Sequence, residues 1–344
     1  MAYTTIDDPT AYFQTKLYAG NGSSQSITFD GNSNMQPDWV WVKCRNDGKH
    51  HSIYDSVRGA TKYLISNRTD ADQTNSGGVT SFDSNGFSVG SFGDVNASFN
   101  FASWNWKAGG SASSNTDGSI TSSVSANTTA GFSIATFTTS SGSSDTIGHG
   151  LGVAPSVVIC KATSASDDWF VFHESLGATK RTRLNLTNAT DTNTIWNDTA
   201  PTSSVFSLRL TNFGTSRSGV AYCFAEKKGY SKFGSYEGNG VASGGGPFIY
   251  LGFKPAFFLL KESSGSDNWT LMDSKRLGYN KLNHHLFPNL DNVEYASDRI
   301  ELRSNGVKVI DNDGSINQDG QTYIYMAFAE APFVSSGGIP TTAR

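Results

Sequence analysis

Hydrophobic residues in this chain fall in short runs separated by polar residues and glycine, and three of the runs are near copies. They are "PDWVWVK" (Pro37 to Lys43), "PSVVICK" (Pro155 to Lys161) and "PAFFLLK" (Pro255 to Lys261). A run of large apolar residues without alternation predicts a strand buried on both faces. The proline suits the first strand position, where no ladder donor is lost. The lysine is expected to mark the point where the strand emerges into solvent. No segment shows a convincing apolar stripe with the helical period of about 3.6 residues.

The repetition extends past these runs. After each comes a polar turn and a short strand ending in an acid and a serine: Asp55–Ser56, Glu174–Ser175 and Asp273–Ser274. The acids lie 18, 19 and 18 positions after Pro37, Pro155 and Pro255. Two stretches, Phe82 to Gly90 and Leu302 to Ile310, share Ser-Asn-Gly between strand-forming flanks, a hairpin signal because both turn positions need positive φ. An aromatic closing strand follows, with Trp106, Phe224 and Phe328 standing 69, 69 and 73 positions after the module prolines. A period near one hundred residues is too long for a solenoid or propeller blade and predicts tandem domains, each with its own small core.

The expected fold is therefore all-β: three tandem antiparallel β-sandwich modules of jelly-roll or lectin-like type. Their expected bounds are 11–107, 131–230 and 231–333, with a polar N-terminal arm at 1–10 and a polar, mobile tail at 334–344. The Gly/Ser/Thr-rich stretch 108–130 reads as a flexible linker or an extended outer strand. Modules two and three, joined without a linker, are expected to pack as a rigid pair, with module one on a looser tether.

Composition narrows the function. Of 344 residues only 16% are charged, and the net charge is −4. No basic stripe is present to neutralise nucleic-acid phosphates, and no polybasic segment to meet a membrane surface. No apolar run approaches the ~20 residues of a spanning helix, and the N-terminal sequence carries no signal-peptide pattern. The three cysteines, Cys44, Cys160 and Cys223, fit no zinc or redox spacing and read as small buried hydrophobes.

Candidate chemistry is sparse. Adjacent acid and serine on a strand point to opposite faces and cannot form a dyad. His173 precedes Glu174, but Tyr54 and Met272 stand before the other two acids. His50–His51, His149 and His284–His285 lack chelating spacing. Asp311 to Gly320 resembles a calcium loop but lacks the closing glutamate, so it reads as a polar hairpin loop. Gly238 to Pro247 is glycine-rich without the Gly-Lys-Ser/Thr of a phosphate loop. Trp169 and Trp269 sit at matched positions, which favours core over ligand. No catalytic, cofactor or metal residue is assigned, and the ligand-binding residues stay unknown.

Taken together, "YDSVRGATKYL", "GHGLGVAPSVVICK", "WNDTAPTSSVFSL", "AYCFAEKKGYSKFGSYEGNG" and "YIYMAFAEAPF" resemble β-rich proteins encoded by marine tailed bacteriophages, found among tail fibres, receptor-binding proteins and other virion structural proteins. The likeness runs from about Tyr12 to Phe333. It implies a place on the virion, on the tail or capsid surface, after synthesis in the host cytoplasm. It also implies other virion proteins as partners and homo-oligomerisation, with a trimer suggested by fibres in general and no heptad to fix the number. The expected function is a non-enzymatic fibre component that contacts the host surface, with a surface polysaccharide as its ligand. A purely architectural decoration or tail accessory protein is the alternative. A glycan-depolymerising tailspike is a second alternative, which would need paired carboxylates in a groove.

Overall fold

The computed structural model describes residues 3–276 and 282–341, and for Leu282 and Asn283 the backbone only. Leu277 to Lys281, the end of the third acid–serine segment, lies outside the described residues, as do residues 342–344 of the expected tail.

The chain is all-β, and each repeat builds two packed antiparallel sheets. In module one, the strand Phe13–Ala19 pairs with Asn100–Trp106, which pairs with Trp39–Cys44, and Ser52–Asp55 and Lys62–Ile65 follow. A three-stranded sheet of Gln25–Thr28, Gly86–Val89 and Val79–Asp83 covers it. Module two repeats the order with Phe132–Thr138, Ser218–Phe224, Val157–Ala162, Trp169–His173 and Lys180–Arg183, faced by the antiparallel pair Ser144–Gly148 and Val205–Arg209. Module three does so with Ser231–Glu237, Thr322–Pro332, Phe253–Glu262 and Thr270–Asp273, faced by four strands. We call the first three strands of each large sheet the opening, closing and core strands. The repeated apolar run is the core strand in every module.

Both faces of that strand are buried because the modules share a second core. In module one, Val40, Val42 and Cys44 point into the module's own sandwich, whereas Trp39 and Trp41 point into a cluster common to all three modules. In module two, Val158 and Cys160 face inward, and Val157 and Ile159 face the common cluster. At its centre the closing-strand aromatics form a triangle: Trp106 to Phe224 6.3 Å, Trp106 to Phe328 5.5 Å and Phe224 to Phe328 5.8 Å between ring centroids. This triangle marks a pseudo-threefold axis.

The modules close into a ring around it. The N–H of Asp72 donates to the Thr163 carbonyl (2.8 Å), that of Thr190 to Ser263 (2.9 Å) and that of Glu294 to Arg45 (2.7 Å). Each acceptor stands eight positions after its module proline, so the three bonds are equivalents linking one to two, two to three, and three back to one. Two tryptophans repeat the same step. The indole N–H of Trp169 donates to the Ile65 carbonyl and that of Trp269 to the Arg183 carbonyl, both at 2.9 Å. The looser tether expected for module one is thus corrected, because module one meets both neighbours through buried contacts.

Residues 108–130 contain two strands, Ser113–Asn115 and Ser122–Asn127, and the second pairs along Phe132–Thr138. Of the two readings of this segment, the outer strand is the one found. The buried Asp38 carboxylate fixes its start by accepting the N–H groups of Ala108 (2.8 Å) and Gly110 (3.3 Å). The described part of the N-terminal arm is packed. Thr4 and Ile6 are buried, and the Thr4 hydroxyl donates to the Lys228 carbonyl of module three (3.0 Å).

The lysines overturn another expectation. Lys43, Lys161 and Lys261 are fully buried, because the neighbouring module covers the point where each strand was expected to emerge. Lys43 and Lys161 donate to the carbonyls of Cys44 (2.6 Å) and Ala162 (3.1 Å), and Lys261 to that of Glu262 (2.5 Å). Burial lowers each ammonium pKa to about 8. The unfolded chain keeps these protons up to about pH 10.4, so between pH 8 and that value the unfolded state binds more protons, and stability rises with pH. The buried thiols, whose pKa values burial raises, act in the opposite direction. A variant isolates the lysine: from pH 7 to 10, wild type should gain about 2–3 kcal/mol relative to Lys161→Met by denaturant titration. A pH-independent difference would refute a depressed pKa.

Candidate functional site

Two of the three module interfaces hold a buried acid–arginine pair. Asp55 accepts from the Arg58 guanidinium (2.6 Å) and, across the interface, from the Tyr222 hydroxyl (2.7 Å). Asp273 accepts from Arg276 (2.5 Å) and from the indole N–H of Trp104 in module one (3.0 Å). The strand register shows that the third equivalent is not Glu174. Asp55 lies opposite Trp39 and Asp273 opposite Phe257, while opposite Val157 stands His173. Glu174 is exposed, so the sequence alignment of the acids is corrected by one position in module two.

At this third interface the whole set of partners changes. Leu176 stands three positions after His173, where the acids have arginine, and Met326 stands where the donors Tyr222 and Trp104 lie in the other closing strands. The Ser175 N–H donates to His173 Nδ1 (3.2 Å), so Nε2 carries the proton and donates to the Tyr325 carbonyl (3.1 Å). Burial lowers the imidazole pKa to about 4. An enclosed space of about 10 Å3 remains beside it, no larger than one water molecule.

Serine and acid serve separate partners, as their opposite orientation requires: the Ser56 hydroxyl donates to Asp38 (2.7 Å) rather than to Asp55. All seven tryptophans are at most 2% exposed, so none offers a ring to a ligand. His51 is buried and accepts the Trp41 indole N–H at Nδ1 (3.0 Å), and His149 receives the Leu151 N–H (3.2 Å). In the calcium-like loop, Asp313 caps the short helix Gly314–Asn317 and pairs with Arg299 (2.6 Å), which also reaches Asp311 (3.3 Å). Those carboxylates are already neutralised by a cation. The glycine-rich loop is held by the N–H of Gly240 on the Asn317 carbonyl (3.1 Å).

An open cleft of about 600 Å3 lies between modules one and two. Its far wall is the shared-core face of the module-two sheet, continued outward. Along the opening strand, Phe132 and Ile134 face the common core, and Thr136 and Thr138 occupy the same face beyond it. Along the closing strand, Tyr222 and Val220 give way to Ser218 in the same manner. Ser123, opposite Thr136, and Ser114 extend this hydroxyl surface onto the two added strands. The floor is Arg58, held rigid by Asp55 and by Asp72 (2.6 Å). Burial raises the Asp72 pKa against the opposing pull of Arg58, and exposed Lys62 stands at the rim.

This arrangement presents many neutral groups that both donate and accept, together with one carboxylate, the guanidinium paired with it and one ammonium. It suits a hydroxyl-rich ligand. Asp55 is fully buried beneath Arg58 and cannot reach a substrate, so the two carboxylates do not form a hydrolytic pair. The equivalent space between modules three and one is about 380 Å3, and there the ion pair of Arg45 with Glu294 (2.8 Å) fills the position of Thr163 and Asp72. Sequence reading missed the cleft. Its signal was the change from Phe and Ile to Thr within "FSIATFTT", which is informative only once that face is known to leave a shared core.

The profile of a family described as a domain of unknown function, DUF7483, matches residues 8–332, so the chain belongs to that family. No curated protein matches it at a significant level.

Proposed function

We propose that this DUF7483 protein is a structural component of a bacteriophage particle, displayed where the particle meets its host, and that it holds a hydroxyl-rich surface glycan in the cleft between modules one and two. The observation that carries the binding role is the hydroxyl-lined extension of the module-two sheet facing the Arg58–Asp72 floor. The phage assignment rests on the resemblance of the repeated motifs. A rigid ring of sandwiches is a suitable scaffold for such a surface.

Filling the cleft tests this reading. Thr136→Trp places a bulky ring on an open wall and should abolish retention on host-envelope polysaccharide without changing the unfolding midpoint. Undiminished retention would remove the cleft from the account. Immunogold labelling of intact particles tests placement: label at the tail periphery supports it, and particles without label contradict it.

One observation favours a purely architectural role instead. Every marker repeated three times (core strand, buried lysine, closing aromatic) serves packing within or between modules. Label distributed over the head, with no glycan retention, would decide for that role.

A further inference from the structure

Apart from the cleft, one face of module three is built differently from the rest of the molecule. With every tryptophan buried, three aromatic rings among the described residues are about half exposed, and two of them share the strand Phe248–Tyr250, where Phe248 is 47% and Tyr250 50% exposed; the third is Tyr295 at 44%. Phe248 and Tyr250 stand two positions apart on one face of an edge strand, which separates the rings by about 7 Å. Between them Ile249 points inward and is buried.

The surroundings keep these rings in place and add positive charge. The Tyr3 hydroxyl lies 3.3 Å from the Tyr250 hydroxyl and donates to the Gly252 carbonyl (2.8 Å). Gly252 has φ +78°, and a β-carbon there would come 2.8 Å from the Tyr3 hydroxyl, so glycine is required both by conformation and by space. The Lys232 ammonium lies 5.3 Å from the Tyr250 ring centroid, and that of Lys228 4.9 Å from the Tyr3 ring. Lys308 stands opposite Phe248 in the pairing with Gly306–Val309 and donates to the Gly246 carbonyl. The nearest acid on that sheet, Glu301, is opposite Lys308 and is itself bound by Arg303.

We propose that the Phe248–Tyr250 face is a binding site for an acidic polysaccharide, with sugar rings stacked on the two aromatics and carboxylates received by Lys232 and Lys308. An apolar pair alone would not define its occupant. The lysines flanking the rings do, because they favour an anionic chain over a neutral one, and the flat C–H face of a pyranose fits a half-exposed aromatic ring. The site is distinct from the neutral cleft and depends on the host-surface reading only for the natural source of the polysaccharide.

Affinity electrophoresis of the full chain through gels containing polygalacturonate, with dextran as the neutral control, tests this directly. Polygalacturonate should retard the protein at low salt, dextran should not, and the effect should weaken as salt screens the lysines. Tyr250→Ala, and Lys232→Ala with Lys308→Ala, should each lower apparent affinity about tenfold. Tyr250→Phe should retain binding, which separates stacking from folding, and exposed Lys180→Ala should leave it unchanged. No retardation at low salt, equal retardation by dextran, or full binding by the Tyr250→Ala protein would overturn the proposal. Binding by a protein that is missing from particles would instead contradict the virion reading and leave this site standing.

Discussion

Phe328→Ala is expected to destabilise all three modules together, by about 3–5 kcal/mol. The ring is 1% exposed. It meets Phe13 and Trp106 of module one at 5.5 Å each, Phe224 of module two at 5.8 Å, and Phe257 and Phe233 of its own module at 6.0 and 5.9 Å. Removing it leaves a cavity on the pseudo-threefold axis, bordered by the closing strands of all three repeats. Those strands lie in sheet centres and are held on both sides, so collapse into the space is restricted and the cost should fall toward the upper end of the range. Equilibrium denaturation followed by tryptophan fluorescence, which reports mainly module one, and by circular dichroism, which reports every sheet, should give the same lowered midpoint. Loss confined to one probe would mean that the modules have separate cores.

Arg276→Leu should cost a similar amount for an electrostatic reason. Arg276 and Asp273 are both buried, and removing the guanidinium leaves a carboxylate in a low-dielectric interface with only the Trp104 N–H and backbone groups around it. Breaking one partner of such a pair typically costs about 3–5 kcal/mol. Module two shows how the chain avoids this cost where it has no arginine, by placing His173 and Leu176 at the matching positions. Asp273→His combined with Arg276→Leu should therefore recover at least half of the single-variant loss, since no charge is left unpaired and the single acceptor nitrogen of the imidazole takes one of the two N–H groups, of Trp104 or Lys275, that the carboxylate held. Glu294 retains Arg45 as partner throughout. A double variant as unstable as the single one would show that packing, not an unpaired charge, accounts for the loss.

Much of this architecture was legible in the sequence. The apolar runs after Pro37, Pro155 and Pro255 identified the core strands, and the aromatics counted from those prolines, Trp106, Phe224 and Phe328, are the residues that meet on the axis. Sequence reading could not show why four or five consecutive positions were apolar, because the second buried face belongs to contacts between modules far apart in the chain. The same omission misplaced Lys43, Lys161 and Lys261 in solvent. It also set Glu174 beside Asp55 and Asp273: chemical similarity favoured the acid, whereas the ladder register selects His173. Residues 108–130 have only Ile120 and Val124 as large side chains of the kind by which strands are recognised, and they are ordered by pairing to Phe132–Thr138 and by the Asp38 carboxylate. Both proposed binding surfaces lie where modules meet or sheets end, and such places have no local motif.

The central claim is that three repeats form one closed cooperative body and not three linked domains. Differential scanning calorimetry of the intact chain tests it most directly. The account predicts one transition whose calorimetric enthalpy equals its van't Hoff enthalpy. Two or three resolved transitions, or a calorimetric enthalpy two to three times the van't Hoff value, would contradict it.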